Sequence, residues 1–481
     1  MARNPRTPVS DAGPQATTRS GVTRSGVIQA DAAVNNTANI PAGGPAFAQP
    51  GPTADPTTFL VQHLADTEAY RILDAQQKSG GLNPLSFPVS RGGTEPILKL
   101  ADTLGHDGAA AEREIIAAGI IVFHSVGDTG NTRGPDPQNQ VADKMLADFD
   151  DADQTRHPRF YFHLGDVIYN FGEARYYYDQ FYDPYRDYPA PIVALAGNHD
   201  GMVAPNTDVP PLDAFLRNFC AESFMLTPES GGLDRTAGVQ PGVYFTFEAP
   251  LVRIIALYSG TLEDPGVISS QDGRFPNLPD IQLDFLHAAL KRVADEEYLG
   301  ALIIAHHHPI YTAGAKHGWS PTVREQVDAI CQETGVWPHA VLSAHAHNYQ
   351  RFTRMLDGRE TPYIIAGNGG HGLAHLARRG TTAVRAPMML DTTQAEGQVQ
   401  LENYDDQDYG YLRIVVTPAQ LRIEYHPASD GGAAKTPDDS VTINLATRQI
   451  THFADAVPVA AAEPATPAPP HRSRAKTQRI A

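Results

Sequence analysis

The chain has 481 residues, 37 Lys+Arg against 55 Asp+Glu, a formal net charge of −18 and a pI near 5.4. That balance argues against a nucleic-acid scaffold as partner, since an acidic body repels a polyanion. No stretch reaches the roughly 20 apolar residues of a membrane span. Cys220 and Cys331 are the only cysteines, which leaves no disulfide framework and no cysteine zinc site, a single Cys220–Cys331 bridge staying open.

Residues 1–55 are rich in Ala, Gly, Pro, Thr and Asn without an apolar period. Such a segment cannot bury enough surface to offset its ordering entropy and is expected to be disordered. Arg3 and Arg6 are not followed by an apolar run, so no secretory signal is read and a cytoplasmic location is the default expectation. Residues 56–118 read as a helical N-terminal extension. Phe59, Leu60, His63 and Leu64 recur with a helical period behind a Thr57 or Thr58 cap, and a second helix is expected from Glu95 to about Leu104.

Over residues 119–445 the pattern becomes that of one catalytic domain. Strands are expected at Gly119–Val126, Arg159–Leu164, Pro191–Ala196, Val243–Glu248, Val252–Tyr258, Ala301–Ala305, Ala340–Ser343, Pro362–Ala366, Tyr409–Val416 and Gln420–His426. Helices are expected at Val141–Phe149, Asp280–Ala294 with Asp280 as its cap, and Pro321–Cys331. Two pieces, 201–240 and 374–408, read as long irregular loops. Residues 446–481 read as a disordered tail. Its basic end (Arg472, Arg474, Lys476, Arg479) is a solvated extension or, alternatively, a contact for an anionic partner. Strand–helix alternation followed by strands predicts an α/β sandwich.

Metal-competent side chains recur where the expected strands end. They are Gly127-Asp128-Thr129-Gly130, Gly165-Asp166-Val167-Ile168-Tyr169, Gly197-Asn198-His199-Asp200, His306-His307-His308-Pro309 and Ala344-His345-Ala346-His347. Ligands bind outside the carboxyl ends of strands in open α/β sheets. Singly, the Gly-Asp and Asn-His-Asp groups are ordinary turns and Tyr169 an ordinary packed ring. His345 and His347, two apart, can turn two imidazoles to one ion. Five such clusters in series are not explained by turns alone.

The set resembles the calcineurin-like metallophosphoesterase superfamily, and within it the purple acid phosphatase branch. Gly130 stands where the superfamily's Asp-x-His motif has its histidine, and Tyr169 stands three residues after Asp166. The resemblance runs from about Gly119 to about His426 and implies a four-layer αββα sandwich. Ala344 departs from the family's glycine and requires a negative φ there. The family register picks His307 from the three consecutive histidines, with His306 second.

The resemblance implies a dinuclear centre. One metal would be held by Asp128, Asp166, Tyr169 and His347, and the other by Asp166, Asn198, His307 and His345. A phenolate ligand, from a group with a free pKa of ~10, asks for Fe(III) at the Tyr169 site. The mixed N/O set around Asn198 suits Zn(II), Fe(II) or Mn(II). Two such ions imply hydrolysis of phosphate monoesters by a metal-bound hydroxide, as in acid phosphatases. His199 and His317 would contact phosphate oxygens or protonate the leaving alkoxide. His308 is a further candidate to face substrate, His163 reads as structural, and His124 as either. The alternatives are a phosphodiesterase or nucleotide hydrolase on the same site, and a phosphate-binding scaffold without catalysis.

Overall fold

The computed structural model describes residues 64–452 apart from 81–82, 133, 205–206, 315–316, 377, 380–381 and 430–436. The expected disorder of residues 1–55, the cap at Thr57 or Thr58 and the basic end of the tail lie outside the described residues.

The described strands are β1 (Ile97–Lys99), β2 (Ile121–Val126), β3 (Pro158–His163), β4 (Ile192–Ala194), β5 (Phe245–Ala249), β6 (Val252–Leu257), β7 (Ala301–His306), β8 (Ala340–Ser343), β9 (Tyr349–Leu356), β10 (Arg359–Ala366), β11 (Arg378–Arg379), β12 (Thr382–Ala383), β13 (Met388–Met389), β14 (Gln398–Asp405), β15 (Gly410–Val416), β16 (Gln420–Pro427) and β17 (Asp439–Asn444). They form a nine-stranded sheet in the order β1-β5-β6-β7-β8-β10-β9-β14-β13 and a six-stranded sheet in the order β17-β16-β15-β2-β3-β4, with β11 and β12 as a separate pair. The middle of the larger sheet, β6–β7–β8–β10, is parallel, as is one end of the smaller, β2–β3–β4.

Side-chain alternation explains the layers. In β3, Phe160 and Phe162 face one core and Tyr161 the other. In β7, Ile303 and Ala305 join Phe160 and Phe162, while Leu302 and Ile304 face the opposite way. The first set lies between the sheets: Phe160 stacks on Phe123 at 4.5 Å and meets Phe247 of the other sheet edge-on at 4.8 Å. Full burial of each such ring contributes about 1.5–3 kcal/mol. The second set packs under helices. Met145 and Val141 of helix Asp136–Leu146 share a core with Tyr161, and Phe285, Leu286 and Leu290 of helix Ile281–Asp295 share it with Ile255 and Ile304. Strands buried on both faces read as continuous apolar runs, as the sequence does here. The result is the expected α/β sandwich, helix–sheet–sheet–helix.

Several expectations need correction. Residues Glu95–Leu104 are not one helix: Ile97–Lys99 is strand β1, paired in parallel with β5, and a helix of one turn follows at Leu100–Thr103. Buried Leu98 gains a partner almost 150 residues away, which outweighs local helical preference. Asp280 precedes its helix but does not cap it, its carboxylate accepting instead from the Ser270 amide at 2.8 Å. The piece 201–240 contains helix Asp213–Phe219, and 374–408 contains β11 to β14. Residues 446–452 are ordered, with Ile450 bridging Ile443 and Arg448 Nη1 donating to the Trp337 carbonyl at 2.7 Å. Both cysteines are free and buried, without the open bridge.

Candidate metal centre

The chain turns sharply where β2, β3 and β8 end. Asp128, Asp166, His345 and His347 all adopt left-handed backbone, with φ of 54°, 55°, 66° and 50°. Such conformations in non-glycine residues cost about 1–3 kcal/mol each and cluster at functional sites. Ala344 is not among the positive-φ residues, as its side chain requires. Gly197 allows the closest approach: a Cβ there would lie 2.0 Å from Asp166 Oδ1. The Asp166 and Asp128 carboxylates are fixed by backbone donors, the His199 amide at 2.9 Å and the His345 amide at 2.6 Å.

The structure brings Asp128, Asp166, Tyr169 and His347 together. The Tyr169 hydroxyl lies 2.9 Å from both Asp128 Oδ1 and Asp166 Oδ2, its one proton shared between them, and 3.3 Å from His347 Nε2. His347 Nδ1 faces the Gly372 carbonyl at 3.2 Å, which directs Nε2 at the carboxylates. Burial, then the charges of Asp128 and Asp166, push the phenol well above its ordinary range. The absence of a side chain at Gly130 makes room for this ring. A Cβ there would stand 2.4 Å from Gln180 Oε1, 2.5 Å from the Val167 carbonyl and 3.1 Å from Tyr169 Cδ2. A histidine at 130 and a tyrosine at 169 could not share the space.

Asp166, His307 and His345 form a second buried group, with one ligand atom of each within 4.8 Å of the others. His307 Nδ1 pairs with the Leu164 carbonyl at 2.8 Å, so Nε2 faces Asp166 Oδ2 at 3.3 Å and Asp128 Oδ1 at 3.8 Å. Although burial works the other way, the Asp166 and Asp128 charges raise His307 to about 10. Asp166, against its own burial, is held well below the carboxylate range by His307 and His199. Two carboxylates sealed from water and facing one imidazole nitrogen are a seat for cations. Asn198 Oδ1, His307 Nε2 and both ring nitrogens of His345 are buried and make no hydrogen bond among the described residues. Buried polar atoms left in this state are costly, and they include atoms a metal would take.

Of the three consecutive histidines, His307 is the one that meets both carboxylates. His306 Nδ1 pairs with the His308 carbonyl at 2.6 Å, and His308 has both nitrogens paired, with Ser259 Oγ at 3.0 Å and the Glu263 carbonyl at 2.9 Å. His199 pairs Nδ1 with the Asn170 carbonyl at 2.9 Å and places Nε2 3.9 Å from Asp166 Oδ2. The His317 ring sits 4.5 Å from that of His345 and 4.7 Å from that of His347. His124 and His163 are structural. His124 bridges Tyr188 and Asp148 at 3.0 and 2.9 Å, and His163 takes Thr129 Oγ1 at 2.8 Å and the Gly165 amide at 3.1 Å.

Sequence reasoning missed three residues here. His371 stacks on Tyr169 at 3.7 Å with its Nδ1 3.0 Å from the Gly130 carbonyl; the glycines before it were the available signal. Glu263 and Asp264 stand in a loop after β6 that carries no motif. Among the described residues no helix is long and apolar enough to cross a membrane.

Comparison with known proteins adds a likeness. No curated protein matches the chain. Solved structures with likeness include GAP50, described as the anchor in the inner membrane complex of Plasmodium (14% identity, 68% of this chain and 89% of that one, TM-score 0.43). Others are PhoD (15%, 70% and 72%, 0.41) and a dimetal phosphatase from Danio rerio (12%, 68% and 99%, 0.36). At these scores they are likenesses only. The model of one family, the calcineurin-like phosphoesterases, whose site is a dinuclear metal centre, matches residues 122–349, a span that opens in β2 and closes just past His347. Over those residues, a little under half of its length, this chain is similar to the calcineurin-like phosphoesterases.

Proposed function

We propose that the protein is a dinuclear, metal-dependent phosphomonoesterase of the purple acid phosphatase type. The observation that supports the reading is the convergence of six side chains, Asp128, Asp166, Tyr169, His307, His345 and His347, from four strand ends into one buried cluster whose phenol lies 2.9 Å from two carboxylates. In this reading Asp128, Asp166, Tyr169 and His347 hold one ion, and Asp166, Asn198, His307 and His345 the other. The first site suits Fe(III), because a phenol held this far above its ordinary pKa needs a strong Lewis acid to ionise. The second, with one amide oxygen, two imidazoles and a shared carboxylate, suits Zn(II), Fe(II) or Mn(II). Bound there, the two ions would supply Lewis acidity to water and to the phosphoryl group.

The chain's own residues do the rest. Five metal charges against Asp128, Asp166 and Tyr169 leave a net positive seat for a phosphate dianion. His199, its tautomer set by the Asn170 carbonyl, directs Nε2 at phosphate oxygens. His317, packed against His345 and His347, would give the leaving alkoxide its proton. The test is colour and substrate. The iron-loaded protein should be pink to violet, and Tyr169→Phe should lose the band while keeping the fold. p-Nitrophenyl phosphate should turn over at least tenfold faster than its bis-ester. A colourless protein holding two Zn or Mn ions removes the iron, and a preference for the diester removes the monoesterase.

A further inference from the structure

Beyond the recognised motifs, one loop serves both histidine- and amide-bearing ligands of the Asn198 site. Glu263 Oε2 accepts from Asn198 Nδ2 at 2.6 Å, with both residues buried. An asparagine amide can present either its oxygen or its nitrogen. A carboxylate accepts only, so it fixes the nitrogen on its own side and turns Oδ1 the other way. That Oδ1 is buried and without a hydrogen bond among the described residues. The next residue repeats the device. Asp264 Oδ1 lies 3.5 Å from His345 Nε2, beyond a hydrogen bond but near enough for its charge to favour the proton on that nitrogen and leave the lone pair on Nδ1; both ring nitrogens are buried and without a hydrogen bond among the described residues.

The loop is pinned where it must be. The Glu263 amide donates to Gln77 Oε1 of helix Leu64–Lys78, the Glu263 carbonyl meets His308 Nε2 at 2.9 Å, and the Thr261 carbonyl accepts from the Leu85 amide at 2.7 Å. Gly260 lies against Gly197 so closely that a Cβ on it would stand 2.5 Å from the Gly197 carbonyl. The Gly318 amide holds Asp264 Oδ2 at 3.3 Å.

We infer that Glu263 and Asp264 are a tandem pair of positioning residues, the first setting the amide of Asn198 and the second the tautomer of His345, so that one loop tunes the affinity of a single metal site. The N-terminal helix, through Gln77, then has a role in the centre. The inference rests on the dinuclear reading above. Partners of this kind typically contribute 10–100-fold to metal affinity.

The experiment is calorimetric titration of chelator-stripped protein with Zn(II), without substrate. The parent should show two binding events. Glu263→Ala should weaken one of them 10–100-fold and leave the other unchanged. Glu263→Gln, which keeps an acceptor opposite the Asn198 nitrogen, should restore most of that loss. Asp264→Asn should weaken the same event about tenfold. Should Glu263→Ala fail to fold, Asp264→Asn carries the test, since its side chain is partly exposed. Two parental events with unaltered variant affinities, or equal weakening of both events, overturn the inference alone. A parent that binds no metal overturns the dinuclear reading with it.

Discussion

His307 and His339 are both buried histidines at the ends of neighbouring strands, and they have opposite fates. At the amino end of β8, His339 Nδ1 accepts from the Leu302 amide at 2.9 Å and Nε2 meets the Leu445 carbonyl at 3.1 Å. Burial and Arg448 lower it to about 4. At the carboxyl end of β7, His307 has one nitrogen on a carbonyl and the other facing two carboxylates, and rises to about 10. Burial of a histidine therefore says nothing of its use. The difference is one nitrogen that the fold leaves to face anions instead of backbone; buried polar atoms without a hydrogen bond among the described residues recur at the ring nitrogens of His345 and at Asn198 Oδ1.

The sharpest way to break the comparison is to remove groups from the carboxyl end. Asn198→Ala or His345→Ala should lose one of two bound metals by elemental analysis and more than nine-tenths of turnover on p-nitrophenyl phosphate. Retention of a tenth or more would show that these atoms are not ligands. His339→Ala, cutting the amino end, should lower stability but leave the turnover of the folded protein near that of the parent.

Removing the ions comes next in size. A ligand that binds only the folded state at a thousand times its Kd stabilises by about 4 kcal/mol. Chelation should therefore lower the free energy of unfolding by that much for each tightly held ion, read as a fall in the urea midpoint at unchanged slope, and Zn(II) or Mn(II) should restore it. An unchanged midpoint would mean that the orphaned atoms are tolerated without cations.

How far the sequence revealed this site follows from the same contrast. Asp128, Asp166, Asn198, His307, His345 and His347 close apolar runs, so a strand pattern and a list of metal-competent side chains suffice to find them. The left-handed backbone that aims four of them leaves no trace in those patterns, since only glycine advertises positive φ. Glu263 and Asp264 sit in a Pro-containing loop and gain meaning only through Asn198 and His345, far away in sequence. Strand β14 was missed although Val399 and Leu401 alternate with Gln398 and Gln400, because the piece around it lacks a sustained pattern. Strand β1 was missed because three residues carry too little periodicity to outweigh the helical sequence around them.

The smallest effect sharpens the comparison by pH. His339 is about 4 folded and near 6.5 unfolded, so between those values the unfolded chain takes the proton first. Its neutral form supports the fold fully above pH 6.5, and that support is lost as pH falls towards 4. By pH 5 the loss is about 2 kcal/mol, from 1.36 kcal/mol per pH unit. His307 has the reverse sign: raised to about 10 without ions, it favours the fold below 6.5 and loses that contribution as pH rises through 10. In urea unfolding of chelated protein, His339→Phe should therefore reduce the difference in stability between pH 7 and pH 5 by about 2 kcal/mol. Other buried histidines, His163 among them, titrate alike in parent and variant and cancel. A variant whose difference equals that of the parent would mean that His339 takes its proton as readily in the folded state as in the unfolded chain, and that its two backbone contacts do not hold it neutral.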